Sequence, residues 1–417
     1  MRDIRERADE VIANVRNRNL KFDVAELLAA DRMAREAKTR LDAVRQRRNE
    51  IGNLMKAKLP PEQRQPLIEE GRQLKEQEAE LDKQYAAAEA RRHELVLQVP
   101  NFTHPQAPIG ADESKNVVVR AHGTLPTFDF PAKDHVDLME ALDLVDFAGG
   151  AKVTGQKFYY LKNDAVLLEI ALMQFGMNTL RNEGFTIFTT PDLARNEVLA
   201  GTGYSPRGES TQIYSIENTD LSLVATAEIT LGGLLAGEIL EAERLPLLYG
   251  GVSHCFRTEA GSAGRESRGL YRVHQFTKVE MFAFCHPDDS GAIHERIVGI
   301  EEKIYRQLGV PYRVVDICSG DLGAPAYRKY DLEAWMPGRG HWGEITSASN
   351  CTDYQARRLD IRFKEKGGKG TRHVHMLNGT AIAVSRAIIA IVENGQQRDG
   401  SIRLPACLGL ADIPPRC

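Results

Sequence analysis

The stretch 255–276, CFRTEAGSAGRESRGLYRVHQF, sets four arginines and three glycines between two apolar runs. The runs at 247–256 and 275–284 read as strands, so the polar stretch between them reads as the loop of a long hairpin. Glycine lets such a loop bend tightly and lets backbone approach a ligand closely. Arg257, Arg265, Arg268 and Arg272 gathered on one loop suit a polyphosphate, because a guanidinium donates in pairs to phosphate oxygens. A charged surface hairpin would carry the same composition.

Working outward, further strands are expected at 184–190, 312–318, 329–335 and 343–348. Helices are expected at 164–183, 221–241, 290–308 and 381–393. Several strands follow one another with no long helix between them. That order argues for a largely antiparallel sheet and an α+β domain covering about 134–417.

Two more blocks carry candidate chemistry. In Leu377-Asn378-Gly379-Thr380-Ala381-Ile382-Ala383-Val384-Ser385-Arg386, an arginine stands early in an otherwise apolar helix. Such a cation needs an anionic partner or a path to solvent. In Gly343-Glu344-Ile345-Thr346-Ser347-Ala348-Ser349-Asn350, strand alternation puts Glu344 and Thr346 on one face and Ser347 and Ser349 on the other. A carboxylate with hydroxyls is hard-oxygen chemistry of the kind Mg²⁺ takes, although a half-buried polar strand has the same look. No P-loop, dinucleotide-binding G-x-G-x-x-G, G-x-S-x-G or H-E-x-x-H pattern is present. Gly367-Gly368-Lys369-Gly370-Thr371 lacks the glycine spacing of a P-loop.

The first hundred residues differ in kind. They contain two glycines, Gly52 and Gly71, and few aromatic side chains. Leu27, Ala30, Ala34, Ala37, Leu41, Val44, Arg48, Ile51 and Met55 recur at steps of three and four, a heptad seam broken at Arg48. A proline-bounded turn at 58–66 follows. A second, less regular seam runs through Leu67, Gly71, Leu74, Glu78, Leu81, Tyr85, Ala88, Arg92, Leu95 and Val99. Two such helices fold back as an antiparallel coiled-coil arm over about 24–99, within an N-terminal domain at 1–100. Residues 101–133, following Pro100 and dotted with Pro105, Pro108 and Gly110 at their start, read as a linker. Between Leu27 and Lys58 nine basic residues face four acidic ones. Arg45, Arg47 and Arg48 cluster there as candidate phosphate contacts, and a solvated helix face is the alternative.

The 417 residues suit two to three domains at about 150 each. The net charge of −4 does not advertise nucleic-acid binding, so any such contact must be a local patch. The hydrophobic fraction of 42% excludes collagenous, mucin-like and wholly disordered chains. Six cysteines without a C-x-x-C pair point to reduced thiols in the cytoplasm. No apolar run is long enough to span a membrane, and the acid-bearing N-terminus does not read as a signal or transit peptide.

Taken together, the blocks resemble the class II aminoacyl-tRNA synthetases in their seryl-specific form. FRTEAGSAGRESRGLYRVHQF looks like motif 2, and LNGTAIAVSR looks like motif 3. Ile187 to Pro191 resembles the motif 1 strand at the dimer interface. Thr226-Ala227-Glu228 resembles the T-x-E element of the serine pocket, and the helical hairpin resembles the tRNA-binding arm. Asp399-Gly400-Ser401 and Leu404-Pro405 fit the closing segment. Thr346 stands where many members have serine, and Thr380-Ala381 where many read serine-glycine; both keep a hydroxyl.

The resemblance implies a two-step reaction. Serine and ATP give seryl-adenylate and pyrophosphate, and the seryl group then passes to the 3′ end of tRNA(Ser); tRNA(Sec) is a further acceptor the family admits. It implies that Arg257 holds the α-phosphate, with Thr258 beside it, and that Glu259 accepts from the adenine amino group. Val273 and Phe276 line the adenine site. Arg386 faces the purine from the other side, with Arg268 assisting at the phosphates. Glu344, Ile345, Thr346 and Ser347 border the ATP site, and Glu344 and Ser347 hold Mg²⁺. Serine selection falls to Thr226, Glu228, Arg257, Glu280 and Thr380. Arg257, Arg386 and Glu344 carry the catalysis. A homodimer is implied, and no zinc, because nothing resembles the insertion of the zinc-dependent archaeal branch. A relative that activates an amino acid for a carrier protein would lack the arm, and a non-catalytic paralogue would have lost motif residues such as Arg257, Glu280 or Arg386.

Overall fold

The structure, a computed structural model, describes residues 1–57, 60–204, 212–260 and 269–416. It divides into two compact units, Met1–Phe102 and Thr103–Cys417.

The first unit is helical: α1 (Arg2–Glu6), α2 (Ala8–Asn17), α3 (Val24–Leu54) and α4 (Pro61–Gln98). Asp23 starts α3 by accepting from the Ala25 amide, which satisfies one of the orphan donors of a helix N-terminus. Leu27, Ala30, Ala34, Ala37, Leu41, Val44 and Ile51 of α3 are all buried, as the seam requires. On α4 only Leu81 and Leu95 are buried, because Gly71, Glu78 and Arg92 interrupt its seam. The helix begins at Pro61 rather than after Pro66. Proline at the first helical position loses no hydrogen bond, and Pro66 forfeits one without ending the helix.

Charge pairs lock the two long helices in register. Arg45 donates from Nε to Glu78 at 3.0 Å and from Nη2 to both oxygens of Asp82 at 2.8 and 2.9 Å. Arg47 reaches Glu70 at 2.7 and 3.0 Å, and Arg48 pairs with Glu78. The three arginines expected to meet phosphate are therefore engaged across the hairpin. The seam break at Arg48 is an interhelical ion pair. Asp31 is fully buried between arginines, accepting from Arg5 at 2.9 Å and Arg35 at 3.0 Å.

The second unit is built on an eight-stranded sheet. Its strands are β1 (Val117–His122), β2 (Thr186–Thr189), β3 (Leu247–Phe256), β4 (Gln275–Cys285), β5 (Tyr312–Asp316), β6 (Arg328–Met336), β7 (His341–Asn350) and β8 (His375–Ala383), in the order β1-β5-β6-β7-β8-β4-β3-β2. All neighbours are antiparallel except β2 with β3. Its helices include α5 (His135–Ala141), α6 (Asp164–Asn182), α7 (Ala227–Gly233), α8 (Ser290–Gln307), α9 (Tyr354–Leu359) and α10 (Val384–Gly395). The principal core joins α6, α8 and α10 to the sheet through side chains such as Leu172, Tyr305, Met281 and Ile389. Gly379 of β8 lets α8 approach: a Cβ there would lie 2.2 Å from Ile297 Cγ2.

Three expectations need correction. Residues 101–133 are not a linker, because the unit boundary falls at Phe102 and residues 117–122 form β1, hydrogen-bonded to β5. The helix expected at 221–241 is a short strand, Leu221–Leu223, the seven-residue α7, and a second short strand, Ile239–Glu241. Thr226 caps α7, and Gly232, Gly233 and Gly237 deny it further turns. Residues 375–383 form a strand, so the helix expected from 381 starts at Val384. Among the described residues, no helix is long and apolar enough to cross a membrane.

Leu41 of α3 is fully buried against Leu81 and Val44. We expect Leu41→Ala to cost the arm about 3 kcal/mol. Hydrogen exchange should show faster opening of α3 and α4 amides with the sheet amides unchanged. Unchanged arm protection would mean that the seam does not hold the hairpin.

Candidate active site

Period-two alternation along β4 turns Phe276, Lys278 and Glu280 to one face, where they line a cavity of about 460 Å³. Arg257 leaves the end of β3 beside them. Its amide donates to the His274 carbonyl at 2.9 Å, and its Nε donates to the Ala225 carbonyl at 3.3 Å. Its guanidinium lies 5.3 Å from the Phe276 ring centre. Two residues on, Glu259 takes a φ of 50°. A non-glycine residue pays of the order of 1 kcal/mol or more for this, which is retained where surroundings enforce it. Glu259 also lines the cavity, 3.7 Å from Arg272 Nη1.

Two β-bulges border the same cavity. On β7, Thr346 pairs with Leu332 of β6 but Glu344 pairs with Glu333, so Ile345 is an extra residue. The expected alternation therefore fails. Ile345 and Thr346 are both buried, and the Thr346 hydroxyl donates to Glu301 of α8 at 3.0 Å. Glu344 comes round to the cavity with Ser347 and Ser349. On β8, Thr380 pairs with Glu280 but Ile382 pairs with Val279, leaving Ala381 as the extra residue. Thr380 thereby faces Glu280 directly and donates to its Oε2 at 3.3 Å.

The buried end of the cavity is a charge network. Lys278 pairs with Glu280 and donates to the Thr380 hydroxyl at 3.4 Å. Glu228 accepts from Tyr204 at 3.0 Å, Gln355 at 2.7 Å and Asn378 at 2.9 Å. Burial pushes Glu280 up to about 7 despite Lys278, and burial likewise raises Glu228. Both carboxylates are thus costly anions awaiting a further positive or donor group.

At the other charge centre, Arg386 Nη1 lies 3.1 Å from the Glu344 carboxylate and 3.1 Å from the Glu344 carbonyl oxygen. Burial opposes ionisation of Glu344, but Arg386, Lys329 and Arg257 outweigh it and hold its carboxyl below the usual range. The Arg386 guanidinium packs 4.6 Å from the Tyr271 ring centre. Lys329 pairs with Asp331 at 3.1 Å, and Asp331 Oδ1 is buried without a hydrogen bond. Glu344 and Ser347 present hard oxygen donors on one face, beside that orphaned carboxylate oxygen. This donor set fits a divalent cation of the Mg²⁺ type.

The cavity gathers Glu228, Arg257, Glu259, Val273, Phe276, Glu280, Glu344, Ile345, Thr346, Ser347, Thr380 and Arg386. Thr226 and Thr258 do not line it. Thr226 is fully buried, and its hydroxyl accepts from the Glu228 amide at 3.2 Å as the cap of α7. The Thr258 amide donates to the Gln212 carbonyl. Arg268 lies outside the described residues. The sequence reading missed Lys278, Lys329, Tyr204, Gln355 and Asn378. Lys278 shares the alternation of Phe276 and Glu280, so the strand period alone could have found it. Tyr204 and Gln355 reach Glu228 from distant parts of the chain, and nothing local marks them.

Comparison with known proteins accords with this geometry. Residues 212–395 match the family described as tRNA synthetase class II core domain (G, H, P, S and T). Residues 1–103 match the seryl-tRNA synthetase N-terminal domain. The serine--tRNA ligase of Treponema denticola is 53% identical, the alignment covering 97% of this chain and 96% of that protein. The corresponding ligase of Dictyoglomus turgidum is 54% identical, covering 99% and 98%. The crystal structure of seryl-tRNA synthetase from Pyrococcus horikoshii complexed with ATP superposes with a TM-score of 0.90 at 40% identity, covering 100% of this chain and 99% of that one. The order of the elements, the cavity and these matches agree: the chain belongs to the seryl-tRNA synthetase family of class II aminoacyl-tRNA synthetases.

Proposed function

We propose that this protein is an ATP-dependent serine--tRNA ligase, and that the cavity at the β3–β4 and β7–β8 strands is where serine is adenylated. The observation that carries the reading is the meeting of a phosphate-type arginine pair, Arg257 and Arg386, with a buried network of Glu228, Lys278, Glu280 and Thr380 in one cavity. The first group suits a triphosphate. The second suits an ammonium and a hydroxyl.

The nucleophile is the carboxylate of serine, already ionised at neutral pH, so no general base is needed. What the protein must supply is position and charge stabilisation at phosphorus. Arg257 holds the α-phosphate oxygens and the serine carboxylate. Arg386 faces the purine and reaches the terminal phosphate. Glu259 accepts from the adenine amino group, with Val273 and Phe276 beside the ring. Glu344 and Ser347 would hold Mg²⁺, which would supply positive charge against the triphosphate. Glu228 takes the ammonium of serine, and Glu280 with Thr380 takes its hydroxyl.

Two further assignments belong to the same reading. The arm contacts tRNA(Ser). Arg45, Arg47 and Arg48 hold its helices together, so the contacts fall to cations of α3 such as Arg32 and Arg40, which are exposed and have no ion-pair partner among the described residues. The active form is a homodimer. Val166, Leu167 and Ile170 on α6 are 39%, 53% and 51% exposed, a patch of side chains that a partner surface would cover. The free cysteines among the described residues favour a reducing cytoplasmic setting.

ATP–pyrophosphate exchange without tRNA, run with each of the twenty amino acids, tests the central reading, and serine alone should drive it. Glu280→Ala should lower serine-driven exchange by ~10³-fold or more while ATP still binds, since a site built for a hydroxyl loses most when that contact goes. Normal serine kinetics in this variant would remove Glu280 from the pocket. Removing residues 27–99 should spare adenylate formation and abolish charging of tRNA(Ser), whereas Arg32→Ala with Arg40→Ala should weaken tRNA binding and flatten its salt dependence. Charging by the armless protein would end the arm assignment. Sedimentation equilibrium should return twice the chain mass, and Leu167→Glu with Ile170→Glu should return one; a monomeric wild type with full exchange activity would refute the dimer.

A further inference from the structure

Behind the Arg386 side of the cavity lies a buried polar chain that the reaction described above does not use. His135, at the start of α5, is 2% exposed, and Glu393 of α10 is fully buried. The imidazole Nδ1 lies 3.0 Å from Glu393 Oε1, and the same oxygen accepts from the His135 amide at 3.0 Å. On its other side, Nε2 accepts from the Leu270 amide at 3.2 Å. An amide can only donate, so Nε2 carries no proton. Nδ1 therefore carries it and donates to Glu393, which fixes one tautomer of a neutral ring. The second Glu393 oxygen accepts from the amides of Gly338 at 2.9 Å and Arg339 at 3.3 Å.

The partners of this pair are the backbone on either side of the site's charged stack. Leu270 is followed by Tyr271, whose ring centre lies 4.6 Å from the Arg386 guanidinium and 4.3 Å from that of Arg339. Arg386 and Glu393 stand seven residues apart on α10, two turns along one helix face. The pair thus holds the amide of Leu270, the residue before Tyr271, and the amide of Arg339, whose guanidinium packs against the Tyr271 ring. Gly269 permits the contact. It has a φ of 76°, and a Cβ there would lie 2.1 Å from His135 Nε2. Apolar packing would fill this space at no polar cost, so two fully satisfied buried polar groups here point to orientation rather than to stability alone.

We propose that the His135–Glu393 pair is a positioning device that fixes Tyr271, and through its ring the Arg386 guanidinium, for ATP. This rests on the reading of the cavity as an adenylation site. Neither His135 nor Glu393 touches substrate. Their effect is on ATP and not on serine, because the groups assigned to serine are held by other elements: Glu280 by β4, Thr380 by β8 and Glu228 by α7. A preset Arg386 spares the cost of ordering that side chain when ATP binds.

The test separates the two links of His135. Asparagine places an amide where Nδ1 stood, so His135→Asn keeps the Glu393 link and cuts the Leu270 link. Glutamine reaches the Nε2 position, so His135→Gln keeps the Leu270 link and cuts the other. Affinity for a non-hydrolysable ATP analogue is measured by calorimetry with Mg²⁺ present, alongside KM values for ATP and serine in pyrophosphate exchange. His135→Asn should weaken the analogue and raise KM for ATP about tenfold, the size expected for one lost buried hydrogen bond. KM for serine should stay within about twofold, and His135→Gln should lose less than about threefold toward ATP. Tyr271→Leu should weaken ATP to a similar degree, and adding it to His135→Asn should bring little further loss, because both act through one ring. Unchanged ATP affinity in His135→Asn, equal damage by both His135 variants, or serine and ATP constants rising together would overturn the proposal. If His135→Asn fails to fold, unaltered ATP binding by Tyr271→Leu overturns it instead. A wild-type protein that binds the analogue but shows no serine-driven exchange would sink the ligase reading and leave this binding comparison intact.

Discussion

A regular strand cannot show Glu344 and Ser347 to the same side, since residues three apart on a pleated ribbon point to opposite faces. The site depends on breaking that rule once, at Ile345. The extra residue drives Ile345 and Thr346 into the core together and brings Glu344 round beside Ser347. Thr346 is held in this position by the buried Glu301 of α8. Without the bulge, the Glu344 carboxylate would leave Arg386 and the hydroxyls across the strand. The second bulge, at Ala381, acts in the same way on β8 by setting Thr380 opposite Glu280. Bulges collect next to active sites because they re-aim side chains without ending the sheet.

Once the strand faces are set, the charges organise themselves. Glu344 is balanced by Arg386, Lys329 and Arg257, and Glu280 by Lys278. The two acids respond differently. Cations outweigh the burial of Glu344, whereas burial wins at Glu280. A carboxylate already surrounded by positive charge can face the phosphates as an anion. A carboxylate near its titration point in a buried pocket gains most from a ligand that brings a donor. The difference in environment divides one cavity into a phosphate side and an amino-acid side.

The N-terminal unit follows a different economy. Its helices share a seam rich in alanine, which brings the backbones close but buries little area per residue. Cross-hairpin pairs at Arg45, Arg47 and Arg48 then select one register. Exposed ion pairs of this kind specify geometry more than they stabilise it. Basic residues clustered on a long helix are thus ambiguous in sequence. An arginine that grips a neighbouring helix and one that waits for phosphate look alike until the second helix is placed.

The arm, the strands at 247–256 and 275–284, and twelve of the residues that line the cavity were legible in the chain before any of it was folded. The arm and the strands are written in local periodicity, which needs no knowledge of distant partners; the cavity residues are picked out by the resemblance of their blocks to a known family. The rest depended on which groups meet across the fold. The alternation expected at 343–350 fails because bulges are set by cross-strand register and by Glu301, forty-five residues away in sequence. The helix expected at 221–241 is cut short by a cap and three glycines, and residues 381–383, expected to open a helix, are instead the end of β8, paired with β4. Thr226 serves a helix start, Lys278 serves Glu280, and Tyr204 and Gln355 converge on Glu228. Each of these depends on which groups meet across the fold, because a buried polar side chain takes its role from the partner that satisfies it.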